Sequence, residues 1–253
     1  DALATEFNKY QDNVAAVILE PMSAVEPEDG YLQAVKEMAH KNGALFVMDE
    51  IITGFRFANG SAQEYFDVTP DLATFGKAMG NGMPISAIVG RADIMELMNE
   101  IFFSSTFAGE ALSLAAANAV VDKFNREPVI KTLWQTGLKM ANVANELIKK
   151  YNLENHIKLA GKAPWKILQY TCHANASKEA IKTFFLKEML AQGILLTVSH
   201  NICYAHTDKD VQTVLSAYDH ALLNLAQALE KPDLDSHLGM PLINPVSLSK
   251  IFL

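Results

Sequence analysis

The chain has 253 residues, half of them hydrophobic and 20% charged, with 21 basic against 29 acidic side chains and a formal net charge of −8. That balance suits a globular protein with a sizeable core, one large domain or two modest ones, and offers no basic stripe to a nucleic-acid backbone. No run of apolar residues is long enough for a membrane helix, and Cys172 and Cys203 stand outside any ligand spacing, so a cytoplasmic protein with reduced thiols and no metal is expected.

The chain starts without a methionine or the features of a signal peptide, in what reads as the tail of a helix, so an upstream part is expected. The run Val14-Ala-Ala-Val-Ile-Leu-Glu20 is continuously apolar up to its final acid, as in a strand buried on both faces of a parallel sheet. After a loop with Pro21 and Pro27, Asp29 is expected to cap a helix over 29–42, with Leu32, Val35, Met38 and Ala39 on one face and Gly43 at the stop. Ala44-Leu-Phe-Val-Met-Asp49 reads as a second buried strand. Strand, helix and strand at this length make a βαβ unit with parallel strands, which sets Glu20 and Asp49 on one rim of the sheet. In open α/β sheets that rim binds ligands.

Residues 50–71 form a long connection broken by Gly54, Gly60 and Pro70, a length more typical of functional loops than of filler. A third strand, Leu72-Ala-Thr-Phe75, precedes Lys77, and the Gly, Asn and Pro residues of 80–84 then stop regular structure. A lysine at a strand end forms Schiff bases when its surroundings lower its pKa, and otherwise is a solvated loop residue. Residues 84–90 read as a strand and 91–99 as a short helix. The segment 102–109, rich in Ser, Thr and Gly, precedes a helix over 110–124 and is either an anion site or a plain helix cap.

Pro128 opens a long helix reaching to 151 that could bridge two lobes. Beyond it, strands at 156–160, 165–171 and 194–198 and helices at 177–192 and 208–229 make a smaller α/β domain with a mixed or antiparallel sheet. Residues 231–253 carry three prolines and no period, which marks an irregular tail. The expected division is therefore 1–127, 128–230 and 231–253.

Glu20, Asp49 and Lys77 share one rim in this reading. A carboxylate and an amine at neighbouring strand ends are what pyridoxal 5'-phosphate requires: the lysine holds the cofactor as an imine, and the aspartate pairs with the protonated pyridine nitrogen. With Glu20-Pro21, Asp49-Glu-Ile-Ile-Thr-Gly-Phe-Arg56, Thr69-Pro-Asp-Leu-Ala-Thr-Phe-Gly-Lys77 and Thr106-Phe-Ala-Gly-Glu-Ala-Leu112 in that order, the chain resembles the class III aminotransferases of fold type I over residues 14–229. Within them it is similar to the glutamate-1-semialdehyde aminomutase branch.

The resemblance implies an α/β fold type I large domain, with a mostly parallel sheet and helices on both faces, of which 1–127 is the C-terminal part, plus a small C-terminal α/β domain. It implies that Lys77 is the catalytic tether and proton carrier, that Asp49 binds the pyridine nitrogen and that Ile51 packs on one ring face. Thr106 would bind the cofactor phosphate of the neighbouring subunit, so the active unit would be a homodimer with shared sites. Glu20 is similar to the family's acid near the substrate end, or is a salt-bridged strand terminus.

Two departures qualify this. The family's phosphate-binding turn and ring-stacking aromatic lie upstream of residue 14 and have no counterpart, so the N-terminal part of the family fold is missing or is supplied by a separate chain. The segment Gly193-Ile-Leu-Leu-Thr-Val-Ser-His-Asn-Ile-Cys-Tyr-Ala-His-Thr-Asp208 is shorter than in the branch and lacks its Phe-Glu pair. That favours an aminotransferase, moving an amino group from a small donor such as glutamate to a keto or aldehyde acceptor, over a 2,1-aminomutase. A non-catalytic fragment or partner subunit is the answer of another class. His200 and Asn201 are the substrate-side candidates of this loop, His206 reads as a structural histidine, and Arg56 and Arg126 are candidates for a substrate carboxylate.

Overall fold

The computed structural model describes residues 2–243, which divide into two compact units at Thr132 and Leu133, within the first turn of the long helix. In the first unit, α1 (Ala2–Lys9) leads into β1 (Ala16–Leu19), α2 (Tyr31–Lys41) and β2 (Leu45–Asp49), followed by α3 (Ser61–Tyr65) and β3 (Leu72–Phe75). A one-turn 3-10 helix, Lys77–Met79, then precedes β4 (Ala87–Gly90), α4 (Ala92–Met95) with a further 3-10 turn, and α5 (Ala111–Arg126). The sheet order is β1-β2-β3-β4, with the first three strands parallel and β4 antiparallel to β3. Phe46 and Met48 of β2 are completely buried against Leu32, Val35 and Ala39 of α2 and Phe7 of α1, so the predicted apolar stripe of α2 is the one that packs.

Three expectations for this unit change. Strand β1 is buried on one face only: Val17 and Leu19 pack on the core, whereas Ile18 is 62% exposed, because β1 stands at the edge of the described sheet. A continuous apolar run does not distinguish an edge from a centre. Asp29 does not cap α2; Gly30, at φ +78°, holds that position without any side-chain hydrogen bond. The connection 50–71 contains α3, which the Ser61-Ala-Gln-Glu64 pattern could have signalled as a capping box.

In the second unit α6 (Val129–Lys150) runs into β5 (Ile157–Ala160) and β6 (Trp165–Tyr170), then α7 (Lys178–Ala191), β7 (Ser199–Asn201), α8 (Asp208–Leu229) and the short α9 (Leu234–His237). Its three strands form an antiparallel sheet in the order β5-β6-β7, and its core is built from α7 and α8, with Phe185, Met189, Tyr218, Leu222 and Leu225 fully buried. Helix α8 begins at the predicted residue, fixed by a capping box between Thr207 and Asp210. The strand expected at 194–198 is displaced. Register with β6 pairs Ile167, Lys166 and Trp165 with Ser199, His200 and Asn201, while Ile194 and Leu196 turn to the helical core and Leu195 stays 85% exposed. Of the predicted tail, residues 244–253 lie outside the described residues.

Candidate active site

Parallel pairing decides the rim. Leu19 lies opposite Met48 and Asp49 opposite Thr74, so Glu20, one step past Leu19, is level with Asp49 and Thr74 across three adjacent strands. Residues level in a parallel sheet point to the same face. Glu20 is exposed and makes no ion pair among the described residues.

Asp49 is half-buried, and its Oδ1 accepts two hydrogen bonds, from the Ile51 N–H at 3.0 Å and the Thr74 hydroxyl at 3.1 Å. Those bonds orient the carboxylate and leave Oδ2 without a partner among the described residues. Lys77 follows three residues after Thr74 at the end of the neighbouring strand, exposed, with a backbone φ of +39° that a side-chain-bearing residue seldom adopts. Its carbonyl accepts the N–H groups of Gly80 and Asn81, which pins the turn that presents the amine. Ile51 sits on this turn: a Cβ at Gly76 would stand 3.1 Å from its Cδ1, so a side chain at 76 would push Ile51 aside by a few tenths of an ångström. An open acceptor oxygen, a primary amine at the next strand end and an aliphatic side chain beside its turn could hold the pyridine nitrogen, the aldehyde carbon and one ring face of pyridoxal phosphate.

Thr106 occupies an exposed turn before α5 and lines a hollow of about 390 Å³ with Ser86, Ser105 and Glu110. The structure changes the reading of this segment as a helix N-terminal anion site. The Glu110 carboxylate already accepts the N–H groups of Leu112 and Ser113, each at 2.7 Å, as well as the Ser113 hydroxyl, and these bonds hold its pKa below the ordinary range. An anion at Thr106 must therefore bind through the turn and the hydroxyls rather than through the first N–H groups of α5.

Two acids of the first unit were not singled out by their sequence context. Glu50 is fully buried and accepts four hydrogen bonds: the Thr53 hydroxyl and Ala62 N–H at 2.8 Å, the Gln63 N–H at 3.0 Å and its side-chain amide at 3.2 Å. It caps α3 from twelve residues upstream and so folds the connection that leaves Asp49. Asp71, 3% exposed, accepts from the Phe46 N–H at 2.8 Å, Arg91 at 3.0 Å and His40 at 2.7 Å. Burial works to raise its pKa, but these partners outweigh it and hold the value at about 2. The pair Asp49-Glu50 and the Asp71 beside Pro70 were the available signals.

His200 and Asn201 belong to β7 in the second unit. His200 is 8% exposed, and its Nε2 is hydrogen-bonded to the fully buried Tyr218 hydroxyl. Burial, with a smaller contribution from His206, pushes its pKa down to about 4, so the ring is neutral near pH 7. Asn201 is exposed. His206 has a structural partner, its Nδ1 accepting the Cys203 N–H at 3.3 Å. Among the described residues no group of three or more His, Cys, Asp or Glu side chains could hold a metal, and no helix is long and apolar enough to cross a membrane.

The fold is that of pyridoxal-phosphate transaminases. The internal aldimine form of the FumI protein of Sphingopyxis sp. MTA144 superimposes with a TM-score of 0.83 at 23% identity, over 93% of this chain and 58% of that one. A transaminase with pyridoxal phosphate bound gives 0.81 at 17% identity, over 90% and 56%. The chain belongs to the class-III aminotransferase family, whose model matches residues 1–222. Curated relatives include the glutamate-1-semialdehyde 2,1-aminomutases of Methanosarcina acetivorans, 34% identical over 86% of this chain, and of Methanococcoides burtonii, 35% identical over 86%. The chain spans about half the length of these relatives, 55% in both cases.

Proposed function

We propose that this chain is the lysine-bearing part of a pyridoxal-phosphate-dependent enzyme that moves an amino group from a small donor, such as glutamate, to a keto or aldehyde acceptor. The observation that carries the reading is the Asp49 carboxylate, oriented through Oδ1 and open at Oδ2, level with Thr74 on the strand that ends in Lys77. Bound there, the cofactor supplies an electron sink for the pair left when the substrate Cα–H bond breaks.

The chain's own residues do the rest. Asp49 Oδ2 would accept the pyridine N–H and keep that nitrogen protonated, because an opposite charge stabilises the cationic ring. Ile51 would cover one ring face and keep water from it. Lys77 Nζ would tether the cofactor and would serve as the general base for the proton at the substrate Cα. Glu20, level with Asp49 on the same rim, would stand on the substrate side.

Thr106 would donate its hydroxyl to the phosphate held by a second copy. The apolar surface around it, with Phe102 96% and Phe103 62% exposed, supports burial against another subunit in a homodimer. The soluble composition supports a cytoplasmic enzyme.

The names of the curated relatives favour a second reading, the 2,1-aminomutase, in which the amine returns to the same molecule. Spectroscopy of the half-reaction separates the two: glutamate alone converting the bound cofactor to its pyridoxamine form supports the transferase, and conversion only by a diamino or amino-aldehyde compound supports the mutase. Borohydride reduction with cofactor present, followed by peptide mass analysis, tests the site itself. The expected result is a pyridoxyl mass on the Lys77 peptide, and its absence in the full-length protein overturns the enzyme reading.

A further inference from the structure

The second unit contains a cavity of about 170 Å³ that the amino-transfer chemistry does not use. Its walls are apolar, from Met140 of α6, Ile194 and Leu196 of the segment before β7, and Val214 of α8. His200 opens onto it, with Ser199, Asn201, His206 and Asp210 as the other polar groups of the lining.

The state of His200 follows from its partner. Tyr218 is fully buried and burial drives its pKa up, so it keeps its proton, and the His200 Nε2 is the acceptor within reach. If the imidazole donated instead, the phenol proton would be left in the core without an acceptor, a cost that buried hydroxyls avoid. The O–H of Tyr218 therefore donates to Nε2, and the ring proton resides on Nδ1. That Nδ1 has no hydrogen-bond partner among the described residues, yet it is not among the inaccessible polar atoms without partners. It is thus the open donor of a ring that lines the cavity.

Charge selects the guest. Asp210 lines the same space, and its Oδ2 accepts the Thr207 N–H and hydroxyl, which hold it ionised. A second carboxylate placed beside it meets like-charge repulsion, whereas a neutral carbonyl oxygen does not, and His206 on the same lining has its Nδ1 occupied by the Cys203 N–H. The volume and the aliphatic walls fit a body of a few carbons.

We propose that this cavity is a binding site for a small, uncharged carbonyl compound, a short branched ketone, aldehyde or amide, whose oxygen accepts the Nδ1–H of a histidine locked in one tautomer by Tyr218. The site lies within the second unit and stands independently of the amino-transfer reading.

The test uses the full chain without cofactor, labelled with nitrogen-15, and follows the His200 ring nitrogens by NMR. Before any ligand is added, the shifts should report a neutral ring with hydrogen on Nδ1; a proton on Nε2 overturns the proposal. Methyl isopropyl ketone should shift the Nδ1 resonance saturably in the millimolar range, and isobutyrate, the carboxylate of the same shape, should bind at least about tenfold more weakly. A ketone that leaves the ring unchanged, or a carboxylate that binds as tightly, overturns the proposal. Tyr218→Phe removes only the tautomer lock and should weaken ketone binding about fivefold, the value of one hydrogen bond. Val214→Trp, which fills the cavity while leaving Tyr218 and His200 in place, should abolish binding while the Nδ1–H tautomer persists. Unchanged ketone binding in a folded form of either variant, shown by native amide dispersion, refutes the assignment.

Discussion

Glu50 provides the sharpest quantitative test of how the site is held. Its carboxylate gathers four donors, two of them the backbone N–H groups of Ala62 and Gln63 at the start of α3, where no intrahelical acceptor exists. Glu50→Ala leaves both N–H groups without an acceptor, in a loop where Ala62 and Thr53 are completely buried. Each such group costs about 1–3 kcal/mol, so the substitution should destabilise the first unit by about 2–6 kcal/mol, a large share of a total stability of about 5–15 kcal/mol. Glu50→Gln keeps one acceptor oxygen and sets an amide N–H against the other pair of donors, so it should cost about half as much. The two units can be read separately in urea, because both tryptophans, Trp134 and Trp165, lie in the second unit. Far-ultraviolet circular dichroism should show an early transition for the variant, while the tryptophan transition keeps its midpoint. A variant whose two transitions both stay within about 0.5 kcal/mol of the parent would refute the account, since it would mean that the donors find other acceptors at no cost.

Lys77→Ala should abolish the borohydride-trapped pyridoxyl mass and all turnover, with unfolding within about 0.5 kcal/mol of the parent, because the exposed amine carries little packing; residual turnover assigns the chemistry elsewhere. Asp49→Asn should slow amino-donor half-reactions far more than it weakens cofactor retention, and equal losses measured by stopped-flow and by equilibrium dialysis would contradict the pairing with the ring nitrogen. Asp71 has a folded pKa of about 2 against an ordinary 3.8, so its contribution is fully present above pH 3.8 and is lost as pH falls through 2. It amounts to about 2 kcal/mol, and urea midpoints of Asp71→Asn should lack that acid-dependent part. Among the described residues the buried Tyr170 hydroxyl has no hydrogen-bond partner, so Tyr170→Phe should leave stability unchanged or raise it by about 1 kcal/mol, and a loss of that size would reveal an acceptor.

The parts of the site legible in the sequence are those that depend on strand order. Three apolar runs separated by helix-length spacers force parallel strands, and parallel strands place their ends on one rim, so Glu20, Asp49 and Lys77 could be aligned from one dimension. The register that sets Asp49 opposite Thr74 follows the same logic, but the Thr74 hydroxyl bond depends on the strands' contact and was not foreseen. What escaped is determined by tertiary demand rather than local preference. Ile194-Leu-Leu-Thr-Val198 has strand composition, yet two of its apolar side chains are drawn to the core of α7 and α8, and pairing with β6 falls to the more polar Ser199-His-Asn201. Glu50 reads as a charged loop residue beside a functional aspartate. Only the fold shows that the orphan N–H groups of a five-residue helix need its carboxylate.

The same distinction explains His200. The likeness of its loop to the family branch made it a substrate-side candidate, whereas the sheet turns it towards Tyr218 and leaves the adjacent Asn201 exposed, as alternation along a strand requires. A histidine with a pKa of about 4 cannot act as a cation at neutral pH, but it is a well-defined neutral donor. Its chemistry is therefore set by a tyrosine eighteen residues away that no local pattern connects to it. Tyr218→Phe should therefore release the ring to both tautomers in a nitrogen-15 spectrum while leaving the borohydride-trapped mass on the Lys77 peptide unchanged, because Asp49 lies on a separate sheet. Loss of that mass would show that the tyrosine acts through general stability instead.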